Sequence, residues 1–139
     1  MTPDAATAAF RALSTVLTAE PALAPSSVSR HLTTLQARLG AAEVEAMLEA
    51  FVAVQAAGGD AAAGVRDLLG DAQQGPRLKA TLTLWFTGQA PIGAAAPAAP
   101  LNPAEDYFEA LMWSTVGAHA PAFSDGYYGH WRYPPETGG

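Results

Sequence analysis

Along the first 88 residues apolar side chains recur three and four positions apart, the repeat of one helix face, and polar residues fill the positions between. Phe10, Leu13, Val16 and Leu17 predict a first helix over 3–18, opened by Pro3 and Asp4 and closed near Glu20-Pro21. The chain then resets through a Pro/Ser stretch, where Ser26 or Ser27 would cap a second helix carrying Val28, Leu32, Leu35 and Leu39. Gly40 stops it. The strongest pattern lies over 41–57, with Val44, Met47, Leu48, Phe51, Val52 and Val54 mostly on one side and Glu43, Glu45 and Glu49 mostly on the other. A weaker helix is predicted over 61–70, closed by Gly70. Pro76 suits the start of a helix with Leu78, Leu82, Trp85 and Phe86 that runs to Gly88; Leu84 falls on its other side, which predicts burial on more than one face.

The pattern breaks at residues 88–103, a Pro/Ala/Gly segment that supports neither helix nor strand ladder and reads as an extended linker. Beyond it Asn102 and Pro103 suit a helix start, with Glu105 and Asp106 in the first turn, where the helix dipole favours acids. Tyr107, Phe108, Leu111, Met112 and Val116 give that last helix its apolar stripe, and Gly117 ends it. No segment alternates with period two for long enough to make a strand, and no repeat of a solenoid is visible. The expected fold is therefore all-α, an irregular bundle of five or six short helices with an extended aromatic C-terminal arm. It forms one domain: bundle over 1–88, Pro/Ala linker over 89–102, last helix and aromatic tail over 103–139.

Composition narrows the function. Of 139 residues half are hydrophobic, enough for one modest core, although much of that share is alanine, which buries little area. Seven basic against thirteen acidic residues give a net charge of −6, and no Lys/Arg run appears, so nucleic-acid binding is not expected. No apolar stretch approaches the roughly 20 residues of a membrane span. The absence of cysteine removes disulfides, thiolate metal sites and thiol nucleophiles. The N-terminus reads neither as a signal peptide nor as a twin-arginine leader, as in a cytosolic protein or a mature chain whose leader is gone.

Candidate chemistry is sparse. His31, beside Arg30 on a helix, is expected at the surface. His119 and His130 flank Asp125 and could form a metal or acid/base set, but no HExxH or similar spacing accompanies them, and hydrogen bonds ordering the tail are the simpler reading. Ser124-Asp125 lacks the GxSxG elbow of a hydrolase. The glycine-containing pieces follow no strand and match no phosphate loop. Neither a catalytic residue nor a cofactor site is therefore assigned to this chain.

The tail is the unusual part. Five of the twelve aromatic residues, Phe123, Tyr127, Tyr128, Trp131 and Tyr133, fall within 123–133 among glycines and prolines. So irregular a segment can bury them only against a preformed surface, either its own bundle or a partner. Tyr and Trp combine large apolar area with a polar handle and are enriched at interface hot spots.

Several stretches, in order, resemble a known family. Leu13-Ser14-Thr15-Val16-Leu17-Thr18, then Leu82-Thr83-Leu84-Trp85-Phe86-Thr87-Gly88, then Tyr107 to Trp113, then Gly126 to Trp131 are similar to the small subunit of membrane-associated, FAD-dependent sugar and polyol dehydrogenase complexes. In that family a helix end ending in Thr-Gly precedes an Ala-Leu-Met helix, here Ala110-Leu111-Met112, and a Gly-Tyr-Trp-like tail, here Gly129-His130-Trp131. The resemblance implies a chain with no active site, which binds a larger flavoprotein of the glucose-methanol-choline (GMC) type, helps it mature and is exported with it. FAD and the sugar chemistry belong to that partner, and electrons pass on to a multihaem cytochrome c subunit or another acceptor. It also implies that Trp85, Trp113, Phe123, Tyr127, Tyr128, Gly129, Trp131 and Tyr133 form the partner interface. The location implied is the periplasm if a twin-arginine leader has been removed, and otherwise the cytoplasm. Two features depart from the family pattern: no such leader is visible, and the tail has no cysteine before its Gly-Tyr-Trp-like stretch. Two further readings stand beside this one: a self-contained helical adaptor or chaperone, and a small metal-dependent enzyme using His119, Asp125 and His130.

Overall fold

The computed structural model describes residues 1–89 and 104–118, and every element in them is helical. The chain is all-α. The first helix, α1 (Pro3–Thr18), begins where the sequence says it should: Pro3 occupies the first turn, and the Thr2 side chain accepts from the Ala5 amide. The second, α2 (Pro25–Leu39), starts one residue before the expected caps, because Pro25 itself takes the first position behind Ala24, and Ser27 turns inward. Gly40 then closes α2 and opens α3 (Ala41–Ala56) in one residue, at φ +100°, a conformation that a side chain would strain. Asp60 caps α4 (Ala61–Gly70) through the Ala62 amide. Asp71 accepts from the amides of Gln73 and Gln74, and α5 (Gln74–Thr87) starts slightly earlier than Pro76 alone suggested.

These five helices close around one core. α1 packs against all four of the others, and Phe10, Leu13, Leu35, Met47, Leu48, Phe51, Leu78 and Leu84 are sealed within the contact. Leu84 and Trp85 are both buried, so α5 is indeed covered on more than one face. On α3 the split of faces holds for Glu43, Glu45 and Glu49, which are all exposed. Glu43 pairs with Arg77 and Glu45 with the terminal amine. Val52 departs from that split and stands 41% exposed. At Gly64 a Cβ would lie 2.2 Å from Val54 Cγ1, so this glycine sets how closely α4 approaches α3.

The last helix differs from its expected form. A continuous element from Pro103 to Gly117 is replaced by two short ones, α6 (Ala104–Phe108) and α7 (Leu111–Thr115), with Ala110 extended between them at φ −60° and ψ 134°. The Trp113 indole donates to the Tyr107 carbonyl at 2.9 Å and its ring meets Tyr107 edge-on at 5.4 Å, which staples the corner. Both short helices rest on α5. The Pro/Ala linker and the aromatic arm lie outside the described residues.

Candidate functional site

Where residues 104–118 meet the bundle, a set of polar side chains is gathered from parts of the chain some eighty positions apart. α2 supplies Ser27, Arg30 and His31; α6 supplies Asp106; and Glu109 follows from the corner. Arg30 donates from Nε to Asp106 Oδ1 at 3.0 Å and from a terminal nitrogen to Glu109 Oε2. The Ser27 hydroxyl donates to that same Glu109 oxygen at 2.6 Å. One guanidinium thus bridges two carboxylates, using the fork geometry that lysine lacks.

His31 is corrected by the structure. It was expected at the surface, yet it is only 2% exposed, enclosed between Asp106 and the Trp85 ring, whose centroid lies 4.3 Å from its own. The reason was visible in the spacing: His31 stands three residues after Val28 and four before Leu35, on the buried stripe of α2. Its Nδ1 is 3.5 Å from Asp106 Oδ1, an ion-pair distance too long for a hydrogen bond, and among the described residues neither Nδ1 nor the buried Asp106 Oδ2 has a hydrogen-bond partner. Burial pushes the His31 pKa below its ordinary value; Asp106 opposes the shift and Arg30 adds to it. The Ser27 hydrogen bond, with Arg30 behind it, holds the Glu109 carboxyl below the usual carboxylate range, and Asp106 holds the Arg30 guanidinium higher still than usual.

Trp85 is also corrected. As a residue expected to face a partner it should be exposed, but it is buried at 3%, stacked toward Phe10 at 6.5 Å and donating from Nε1 to the Ser14 hydroxyl at 2.9 Å. It belongs to the bundle's own core. Beside it Gly88 ends α5 at φ +70°, where a Cβ would fall 2.5 Å from the Asp106 carbonyl carbon and oxygen. That glycine is the seat on which α6 lies.

Trp113 is half-buried at the α6–α7 corner, Tyr107 is 36% exposed and Val116 is 68% exposed. Phe123, Tyr127, Tyr128, Gly129, Trp131 and Tyr133 lie outside the described residues, as do His119, Asp125 and His130. Among the described residues no three metal-ligating side chains converge, and no helix is long and apolar enough to cross a membrane. An open depression of about 300 Å³ lined by Ser29, Arg30, Thr33 and Thr34 lies on the outer side of α2. What the arrangement can do chemically is hold two pieces of chain together by charge. Comparison with protein-family profiles, characterised proteins and solved structures yields no match.

Proposed function

We propose that this chain is a non-catalytic small subunit that binds, stabilises and helps mature the FAD-bearing GMC-type subunit of a sugar or polyol dehydrogenase complex. The observation that carries the reading is a meeting of two of its motifs in space. The Thr-Gly helix end at 87–88 forms the floor, and the segment from Tyr107 to Trp113 lies across it, with Gly88 against the backbone of Asp106 and Tyr107. Motifs that are separate in sequence therefore act as one unit, which carries Tyr107, Trp113 and Val116 on or near the surface. The aromatic tail follows from that unit in sequence, and aromatic residues of this kind anchor interfaces. Under this reading FAD, substrate and electron acceptor all belong to other chains.

The test is co-expression with the large flavoprotein of such a complex, followed by purification through a tag on this chain. A yellow eluate containing both chains supports the reading. Val116→Asp places a charge at an exposed position without touching the clamp, and Trp131→Ala removes a tail aromatic; each is expected to weaken association by about 2 kcal/mol if it lies at a hot spot. A colourless, well-folded monomer would reject the small-subunit reading. That result favours a self-contained helical adaptor, a reading supported by the closed core of α1–α5, which buries its large apolar side chains without outside help.

A further inference from the structure

We propose that residues 104–118 form an acid-tightened latch, in which a proton taken up by His31 strengthens the docking of α6 and α7 on the bundle. The geometry gives the latch its parts. His31 on α2 is closed in by Trp85 of α5 on one side and by Asp106 of α6 on the other, with its Nδ1 3.5 Å from Asp106 Oδ1. Among the described residues the charged groups that face it are Asp106, Arg30 and Glu109, all members of the same clamp. While the imidazole is neutral, that clamp sets one cation, Arg30, against two carboxylates. A proton on His31 supplies the second cation.

What docking changes around His31 is chiefly its anions. Arg30 and Trp85 belong to α2 and α5 and stay beside it whether or not α6 is seated, whereas Asp106 and Glu109 arrive and leave with the segment. Undocked, a charged imidazole would stand next to the Arg30 guanidinium with neither carboxylate to offset the pair, and like charges oppose its protonation. Docked, Arg30 is bonded to both carboxylates and Asp106 also faces the imidazole. A neutral ring leaves one nitrogen a bare acceptor, but the protonated ring donates from both, so Nδ1 then carries a proton beside Asp106. Closing that gap by about 0.6 Å completes a charge-assisted hydrogen bond. Among the described residues Nδ1 and Asp106 Oδ2 are buried without a hydrogen-bond partner, and both belong to the pair that the proton joins.

The direction follows from linkage. Because docking brings carboxylates to the imidazole, His31 holds its proton more tightly docked than undocked, and docking gains strength as pH falls. The gain begins as pH falls through the docked pKa and is complete below the undocked one. It lies below 6.5, since burial, to which Trp85 contributes in both states, keeps His31 under that ordinary value. In that window one proton changes the ratio of docked to undocked chains by up to about tenfold per pH unit. Glu109 sets the lower limit. The Ser27 hydrogen bond and Arg30 hold its carboxyl below the usual 4.5, so its share of the clamp is lost only as pH falls past that value. Docking is therefore strongest in mild acid and weaker on either side.

Hydrogen exchange of the unaltered chain, corrected for the intrinsic pH dependence of amide exchange, tests the latch. Helices as short as α6 and α7 do not hold in isolation, so the Val116 and Ala118 amides, bonded to the Met112 and Trp113 carbonyls when docked, report the ratio of undocked to docked segment. The expected result is a fall in that ratio of about threefold or more as pH goes from 7.5 to 5.0, with α3 unchanged. The NMR titration of the His31 ring in the same chain should share the midpoint of the change, a readout that does not depend on any variant folding. His31→Gln should lose the response, and Asp106→Asn, which keeps the shape but removes the facing charge, should lower the His31 midpoint. The proposal is overturned if the ratio stays constant or rises over this range, or if α3 moves in parallel with it. It is equally overturned if His31→Gln keeps the response, if His31 titrates apart from it, or if Asp106→Asn leaves the His31 midpoint in place.

Discussion

The bundle and the segment laid across it are held by different forces. In α1–α5 the contacts are apolar side chains sealed from water, with Phe10, Leu13, Leu35, Phe51, Leu78 and Leu84 fully buried. Among the described side chains of 106–118 Ala110 is the buried hydrophobic one and Leu111 packs partly against the core, while most of the polar attachment comes from Arg30, His31, Asp106 and Glu109 over a glycine floor. Apolar packing tolerates salt and pH; a clamp of charges, partly exposed at Arg30 and Glu109, responds to both. The same chain therefore has a part built to persist and a part built on conditions.

Substitutions can separate the two. The largest effect is expected in the bundle: Phe51→Ala should cost about 3–5 kcal/mol, because it removes a ring from a sealed site and leaves a cavity. Urea unfolding followed by helical circular dichroism measures it, and a loss under 1 kcal/mol would mean the core is not closed around Phe51. Next comes Arg30→Ala, which strips Asp106 and Glu109 of their shared cation. Removing one partner of a buried pair can cost about 3–5 kcal/mol, but here Glu109 is partly exposed and the segment can leave the bundle and hydrate Asp106, so a smaller loss of about 1.5–3 kcal/mol is expected. Hydrogen exchange should place that loss in 104–118 and leave α3 and α5 protected; uniform loss across all helices would erase the distinction drawn here.

Gly88→Ala tests the floor. It adds left-handed backbone strain of about 1–2 kcal/mol and drives a methyl into the Asp106 carbonyl, so the same selective loosening should appear with every charge intact. The smallest effect belongs to Trp85→Phe, which keeps most of the ring area but leaves the buried Ser14 hydroxyl without the indole donor, at about 1 kcal/mol. That loss should register in global unfolding, since Trp85 is part of the core.

The helices were largely legible because their signals are local. Pro3, Gly40, Gly70 and Gly88 each act on neighbouring backbone, and α1 and α4 fall where the spacing and these end signals put them, although the Asp60 cap of α4 was not read from the sequence. The clamp was not legible, because each of its members looks ordinary in its own neighbourhood. Asp106 reads as an acid in a first helical turn, and only its meeting with Arg30 across 76 positions makes it a buried counter-ion. His31 was half legible: its place on the Val28–Leu35 stripe argued for burial, whereas its neighbour Arg30 argued for water, and tertiary contact decided. The split of the last helix had no local signal at all. Ala110 favours helix intrinsically, and it is extended here where the Trp113 indole and the Glu109 clamp both engage the corner.

The contact of Gly88 with Asp106 and Tyr107 also says something about the length of the chain between them. Gly88 and residues 106–107 are held in contact by described backbone, so the connection between them is closed at its ends. For such a closed connection the entropy of closure grows only with the logarithm of length, about 0.6 kcal/mol for each doubling. Insertions there should therefore be thermodynamically inexpensive, which makes this the place to graft a reporter, a tag or a protease site while leaving both the bundle and the segment laid across it in register.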